Sequence, residues 1–121
     1  MSQYDYGIFV CLDIYSGKQD PYWKLTDEQI DELKSKLLDL PYTDPYIPEE
    51  YDHHGFRIYN KDRIEQLPKR IEVFHNVVSY LKDHKIVHFE DKNKIEDWLF
   101  DLSIEQGFED IVKKVRKTEK K

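Results

Sequence analysis

The chain is 121 residues long, which suits one domain with its own core, and hydrophobic residues make up 39% of it. One cysteine, Cys11, excludes an intrachain disulfide, and the lack of an apolar run long enough to span a membrane predicts a cytoplasmic protein without a membrane partner. The net charge is −6, but residues 1–112, here called the acidic body, carry −11 and residues 113–121 are basic. An acidic body repels phosphate groups, which argues against nucleic-acid binding except through the basic residues 113–121.

The first element predicted along the chain is a strand over residues 4–15. Ile8, Val10 and Leu12 share one face of it, and Phe9 and Cys11 share the other. A period of two over this length is typical of a strand with one fully buried face. Phe9 and Cys11 indicate that the middle of the second face is covered as well, as in a central strand.

A turn over residues 16–23 leads to a helix predicted over residues 27–40. Thr26 and Gln29 have the spacing of a capping box, and Leu25 and Ile30 have that of a hydrophobic staple. Trp23 is expected to fill the seam between the strand and this helix. The apolar residues of one helical face recur at three- and four-residue spacing, namely Ile30, Leu33, Leu37 and Leu40.

The rest of the chain predicts three further strands and a closing helix. The strands cover residues 55–59, 70–81 and 86–89, and the second of them is kinked at residues 75–76. Asp91 is placed to cap the helix, and Gly107 ends it. The order β-α-β-β-β-α predicts an α+β fold, with a single-layer, mostly antiparallel sheet of about four strands and helices on one face.

Residues 1–112 are predicted to form this single α+β domain. Residues 113–121 hold six basic residues and one acidic residue, so the totals of 19 and 25 leave 13 basic and 24 acidic residues for the domain. A run of like charges at the end of a chain favours a solvated terminus. We therefore expect a basic, frayed C-terminal tail.

Short motifs in the chain resemble those of a known family. They are Ser16-Gly17-Lys18-Gln19-Asp20-Pro21-Tyr22-Trp23, Leu25-Thr26, Gly55-Phe56 and Trp98-Leu99, in that order. The order is similar to that of small, mostly uncharacterised intracellular proteins in which a strand precedes Ser-Gly-Arg-x-Asn-Pro-x-Trp and a helix. Lys18 replaces the arginine and lacks its two-pronged guanidinium, and Asp20 replaces the asparagine. The resemblance implies the fold and brings no activity and no cofactor.

The same turn raises the question of a phosphate-binding loop. A glycine turn with a nearby lysine can cradle an anion, but Leu12 stands where the first glycine is required. Gln19 stands where serine or threonine would bind magnesium. We interpret the turn chiefly as a joint between strand and helix, with Lys18 and Gln19 as candidate binding residues.

Histidines form the one candidate metal centre in the sequence. His53 and His54 follow Asp52, and His75 lies in a later predicted strand. Imidazoles and a carboxylate suit zinc or iron, but the spacing matches no closed motif. A small metal-dependent enzyme built on His53, His54 and His75 is therefore an alternative hypothesis, and neither an enzyme nor a cofactor is the favoured prediction.

Tyrosines supply the favoured hypothesis, which is a protein-interaction module that binds another protein. Tyr42, Tyr46 and Tyr51 lie in a proline-rich segment, and Tyr22 lies beside the first turn. Such amphipathic side chains are enriched at interfaces, although they also suit a lid over the sheet. The acidic body leaves a third hypothesis, an inhibitor that occupies a basic cleft or mimics a nucleic acid. The sequence leaves the oligomeric state open.

Overall fold

The structure, a computed structural model, describes residues 7–14, 21–44, 53–61, 67–74 and 76–119, without the side chains of residues 14, 53, 54 and 115–119. These residues form six strands and three helices: β1 (Ile8–Ile14), β2 (Tyr22–Lys24), α1 (Asp27–Lys36), β3 (His53–Asn60), β4 (Arg70–Phe74), β5 (Val77–Lys82), β6 (Lys85–Glu90), α2 (Ile95–Glu105) and α3 (Glu109–Glu119). The strands form one antiparallel sheet in the order β2-β1-β3-β4-β5-β6. The predicted α+β class is confirmed, and the predicted number of about four strands is too low.

The two additional strands come from a short edge strand and a hairpin. β2 has three residues, too few for an alternating pattern to be recognised in the sequence. The strand predicted over residues 70–81 is two strands, because Phe74 pairs with Val77 and leaves two residues for a turn. Asn76 has a φ of 65°, in the left-handed region that tight hairpin turns use. The predicted kink is therefore a reversal of the chain.

The next turn joins β5 to β6. Asp83 and His84 form it with φ values of 50° and 67°, and Lys82 pairs with Lys85 on its two sides. Positive φ at both central residues is the signature of the turn whose twist matches that of the flanking strands. The strand predicted over residues 86–89 is confirmed as β6, one residue longer at each end.

One face of the sheet carries the core. Seven side chains of β1, β3 and β4 on this face are at most 1% exposed: Ile8, Val10, Leu12, Phe56, Ile58, Ile71 and Val73. The ring of Phe100 on α2 packs edge-on against Phe56, with centroids 4.9 Å apart. Phe9, on the other face, is also fully buried, so β1 is an interior strand with both faces covered at its middle, as predicted.

Trp23 is buried, and the rings that it contacts lie on β3 and just before α3; the predicted packing between the first strand and α1 stays a prediction. The Trp23 side chain is 6% exposed and packs on Phe56 of β3 and on Phe108, which precedes α3. The ring centroids lie 6.3 and 6.2 Å apart, within the range of favourable aromatic contacts. The edge strand β2 is therefore tied to the core by one large side chain.

Helix α1 begins at the predicted capping box. The Gln29 N–H donates to Thr26 Oγ1 at 3.2 Å, and the Thr26 N–H donates to Gln29 Oε1 at 3.0 Å. The helix ends at Lys36, earlier than the predicted residue 40. Asn93 Nδ2 donates to the Lys36 carbonyl oxygen at 2.8 Å, so a distant side chain satisfies one of the last helical carbonyls.

Helix α2 has a side-chain cap at one end and a backbone cap at the other. Asp91 accepts from the Ile95 N–H at 2.7 Å and from the Glu96 N–H at 2.8 Å, which confirms its predicted capping role. At the other end the Gly107 N–H donates to the Ile104 carbonyl oxygen, and the Phe108 N–H donates to that of Ser103. This pair of bonds, with Gly107 at a φ of 95°, is the Schellman motif.

Helix α3 begins inside the predicted domain, and its backbone continues into the predicted basic tail, whose frayed state stays a prediction. Its backbone is helical from Glu109 to Glu119, and Val112 in its first half is 1% exposed. Ile111 and Val112 pack against the core and hold the helix there, so the basic residues that follow continue an element that is already formed. Of the helices that the structure describes, none is long and apolar enough to cross a membrane.

Gly55 and Gly107 provide a matched pair of substitutions for the fold. Both have positive φ, but a methyl group on Gly55 would overlap the Val73 carbonyl oxygen and lie 2.7 Å from Phe74 Cβ, whereas one on Gly107 would meet no atom within 4 Å. Gly55→Ala is expected to lower the free energy of unfolding by about 3 kcal/mol, since strain and overlap add. Gly107→Ala should lower it by about 1 kcal/mol. Urea denaturation measures both, and equal losses would contradict this packing of β3 against β4.

Candidate functional site

The second face of the sheet, here called the open face, is the first part of the candidate site. In the described residues, the core cluster that joins the helices to the sheet contains strand side chains of the buried face alone. The register places the following residues on the open face: Phe9, Cys11, Asp13, Arg57, Tyr59, Arg70, Glu72, Ser79, Leu81, Ile86 and His88. The described helices therefore cover the other face of the sheet and leave this one uncovered.

Charged side chains at the centre of the open face pair with one another. Arg57 Nη2 lies 2.9 Å from Asp13 Oδ2, and Arg70 Nη2 lies 2.8 Å from Glu72 Oε1. Burial lowers the pKa of Arg57, but a hydrogen bond to Tyr59 and the charge of Asp13 outweigh it, so the pKa is raised above its ordinary value. Because both signs alternate here, the centre of this face lacks the dense carboxylate surface that a nucleic-acid mimic requires.

Ser79 and His88 form a hydroxyl–imidazole pair on neighbouring strands. Ser79 Oγ lies 2.7 Å from His88 Nδ1, a distance at which a base can activate a nucleophile. Acyl transfer also needs N–H donors aimed at a developing oxyanion. The two residues face each other in a regular ladder, where backbone N–H groups are directed along the sheet and away from this pair. The pair is best explained as a cross-strand bond that fixes the register of β5 and β6.

A groove of about 750 Å³ lies at the end of the sheet next to the β5–β6 turn. Arg70, Glu72, Ser79, Asp83 and His84 are among the residues that line it. Leu81 and Ile86 also line it, and they face each other across the two strands. They are 62% and 68% exposed, and we call them the hairpin patch. The groove thus combines polar lining residues with exposed apolar side chains at its rim.

Residues 41–44, here called the strap, cover one half of the outer edge of β6. The Thr43 N–H donates to the His88 carbonyl oxygen at 3.0 Å, and the Glu90 N–H donates to that of Pro41 at 2.8 Å. Between these bonds Tyr42 pairs with Phe89 in an antiparallel bridge. The strap is therefore a short extra strand that the proline-rich sequence did not predict.

Three aromatic rings are stacked where the strap meets the sheet. The ring of Tyr42 lies 4.7 Å from that of Phe89, which lies 5.1 Å from that of Tyr80. Burial raises the pKa of Tyr80, and the nearby charge of Lys82 opposes this effect. Tyr42 remains 68% exposed. It therefore lies over the margin of the sheet and still presents a free ring surface.

Among the residues that the structure describes, none pairs with the other half of the β6 edge, residues 85–87, and we call it the open edge. In an antiparallel ladder, alternate residues direct both backbone groups to the same side. His88 and Glu90 direct theirs to the strap, so Ile86 directs its N–H and C=O to the same edge. Neither group of Ile86 has a partner among the residues that the structure describes.

The predicted contact residues divide between opposite edges of the sheet. Tyr22 lies on β2, where its ring stacks on Phe9 at 5.3 Å and is 37% exposed, and Tyr42 lies beyond β6. Six strand spacings separate them, roughly 25–30 Å, so they do not form one surface. Lys18, Gln19, Tyr46 and Tyr51 lie outside the described residues.

The predicted metal centre falls largely outside the described side chains. His53 and His54 contribute backbone to the start of β3, and their side chains are not described; nor is His75. Elsewhere in the described chain, no three side chains of histidine, cysteine, aspartate or glutamate are arranged to hold a metal ion. The metal-dependent enzyme therefore stays a prediction.

Sequence reasoning missed the hairpin patch and the open edge. The sequence did contain the signal for the hairpin patch. Placing a two-residue turn at Asp83 and His84 pairs Leu81 with Ile86 on the face opposite to Tyr80. Reading residues 70–81 as one strand hid this arrangement, since it left β5 without a register.

No protein-family model, curated protein or solved structure matches this chain. A function can therefore be argued only from the geometry of its own residues.

Tyr42 is expected to stabilise the strap through its ring. Tyr42→Ala should lower the free energy of unfolding by about 1 kcal/mol, because it removes the stacking on Phe89. Tyr42→Phe keeps the ring and serves as the control, with no change expected. Urea denaturation of both variants checks this, and an alanine variant as stable as the parent protein would show that the stack contributes nothing.

Proposed function

We propose that this chain is a protein-interaction module that binds a segment of another protein at the β6 side of the sheet. The observation that carries the proposal is the grouping of exposed apolar side chains there. Leu81 and Ile86, each more than 60% exposed, face each other across β5 and β6 on the open face, whereas the exposed ring of Tyr42 lies at the same edge on the opposite face. Grouped apolar side chains mark binding surfaces, whereas single exposed ones are ordinary features of a protein.

The shape of this surface favours a macromolecule over a small ligand. Small-molecule sites enclose about 70–90% of the ligand surface. The apolar rim of the groove projects into solvent instead, as the exposure of Leu81 and Ile86 indicates. Such a rim suits a partner that is itself extended and covers the rim from outside.

The chemistry of the open face favours protein over RNA. Sheets that bind single-stranded RNA stack its bases on exposed aromatic rings. Here the ring of Phe9 is fully buried, and the guanidinium of Arg70 lies over the ring of Tyr59, 5.7 Å from its centroid. These two central rings are therefore already covered by other parts of the chain.

The proposal includes an intracellular location, which the lone Cys11 supports because reducing compartments suit free thiols. It also retains the resemblance of residues 16–23 to the family of small intracellular proteins, as a resemblance of fold. The oligomeric state is not part of the proposal.

Capture of a partner from a lysate of the native source tests the proposal. We expect the immobilised parent protein to retain a partner that the Leu81→Ser/Ile86→Ser variant loses by about tenfold or more, because two apolar contacts are removed. Leu38→Ser is the matched control, since Leu38 is 64% exposed but follows α1 and is not part of the hairpin patch or the groove. Circular dichroism checks that each variant is folded. Equal capture by all three proteins would refute the proposed surface.

A further inference from the structure

We propose that the partner segment binds as an added antiparallel strand along the open edge of β6, and that this segment is acidic. The inference rests on the proposed function and specifies how the segment is held. Backbone pairing supplies affinity in such additions, and alternate side chains supply specificity.

The strap shows that the outer edge of β6 accepts antiparallel pairing. Its bonds to His88 and Glu90 measure 3.0 and 2.8 Å, ordinary lengths for a ladder. The next outward-pointing residue, Ile86, offers one donor and one acceptor in the same direction. A segment that entered next to the strap would therefore continue the same ladder by one further pair.

The charge around the open edge is opposite to that of the body. Lys82 and Lys85 are exposed and directly paired across the β5–β6 hairpin, and Lys69 is exposed at the rim of the groove. Glu72 is already paired with Arg70, so the described acidic residues next to these lysines are Asp83 in the turn and Asp44 at the end of the strap. Like charges directly opposite each other destabilise a sheet, and acidic side chains from a partner would relieve this.

The same lysines argue against a second copy of this chain as the occupant. Pairing two open edges would bring Lys82 and Lys85 of both copies together in one continuous sheet. Lysines on edge strands commonly prevent this kind of self-association. The charge that disfavours a second copy favours an acidic segment.

The register predicts the pattern of the bound segment. The residue opposite Ile86 shares its face and would extend the hairpin patch, so an apolar side chain fits there. Its two neighbours project to the other face, one opposite Lys85 and the other opposite Val87, so an acidic side chain fits at the first of them. The expected pattern is therefore an alternation of acidic and apolar residues.

A blocked peptide of about nine residues that alternates glutamate with valine is the probe, since strands are commonly of this length. Fluorescence anisotropy of the labelled peptide measures the affinity, and amide NMR follows Ile86. In antiparallel pairing the valine opposite Ile86 directs its N–H to β6, whereas the neighbouring glutamates direct theirs away. N-methylation at the valines should weaken binding by about tenfold or more, and N-methylation at the glutamates should change it by less than about twofold.

A peptide with lysine in place of glutamate should bind at least about tenfold more weakly than the glutamate peptide. The Lys82→Glu/Lys85→Glu variant should bind the lysine peptide more tightly than the glutamate peptide.

The outcomes separate this inference from the proposed function. If the valine-methylated peptide binds as well as the parent peptide, and binding still needs Leu81 and Ile86, the surface stands and the added strand is refuted. If the lysine peptide binds equally well, the acidic partner is refuted. If sedimentation shows a dimer that Ile86→Ser abolishes, a second copy is the occupant. If no peptide binds while capture of a partner persists, the inference fails and the proposed function survives.

Discussion

The packing of the helices against a single face of the sheet is the constraint on which the rest of the structure depends. Phe56 on β3 is its focus, because the rings of Trp23 and Phe100 both pack on it and thereby join β2 and α2 to the centre of the sheet. Burial of such rings is among the largest favourable terms available to a small domain. The helix caps at Thr26 and Asp91 then fix where each helix begins over that face.

One-sided packing leaves the second face and the two outer edges of the sheet to be stabilised in other ways. On the open face, charged side chains pair across strands, as Arg57 does with Asp13. At one edge β2 is only three residues long, which limits its capacity to pair with another chain. At the other edge the strap covers residues 88–90, and no other described residue pairs with the outer side of residues 85–87. The candidate site lies beside the strap, at the end of the sheet that carries the exposed Lys82 and Lys85.

The sequence predicts the elements of this fold better than it predicts their partners. The capping box at Thr26 and the cap at Asp91 are local, so spacing along the chain was enough to find them. The division of residues 70–81 into two strands depends on a turn that holds a non-glycine residue at positive φ, Asn76, which the sequence shows weakly. The strap depends on a bridge between Tyr42 and Phe89, which are distant in sequence, and the last described bond of this pairing joins Thr43 to His88. Features made by long-range pairing could not be read from a single chain.

Hydrogen exchange along β6 in the free protein tests the central claim most directly. Val87 and Phe89 direct their N–H groups to β5, and the Glu90 N–H donates to the strap, so these amides should exchange slowly. The amide of Ile86 should exchange faster by about tenfold or more, because it points to the open edge. An Ile86 amide as protected as that of Val87 would contradict the account, since the edge would then already be paired.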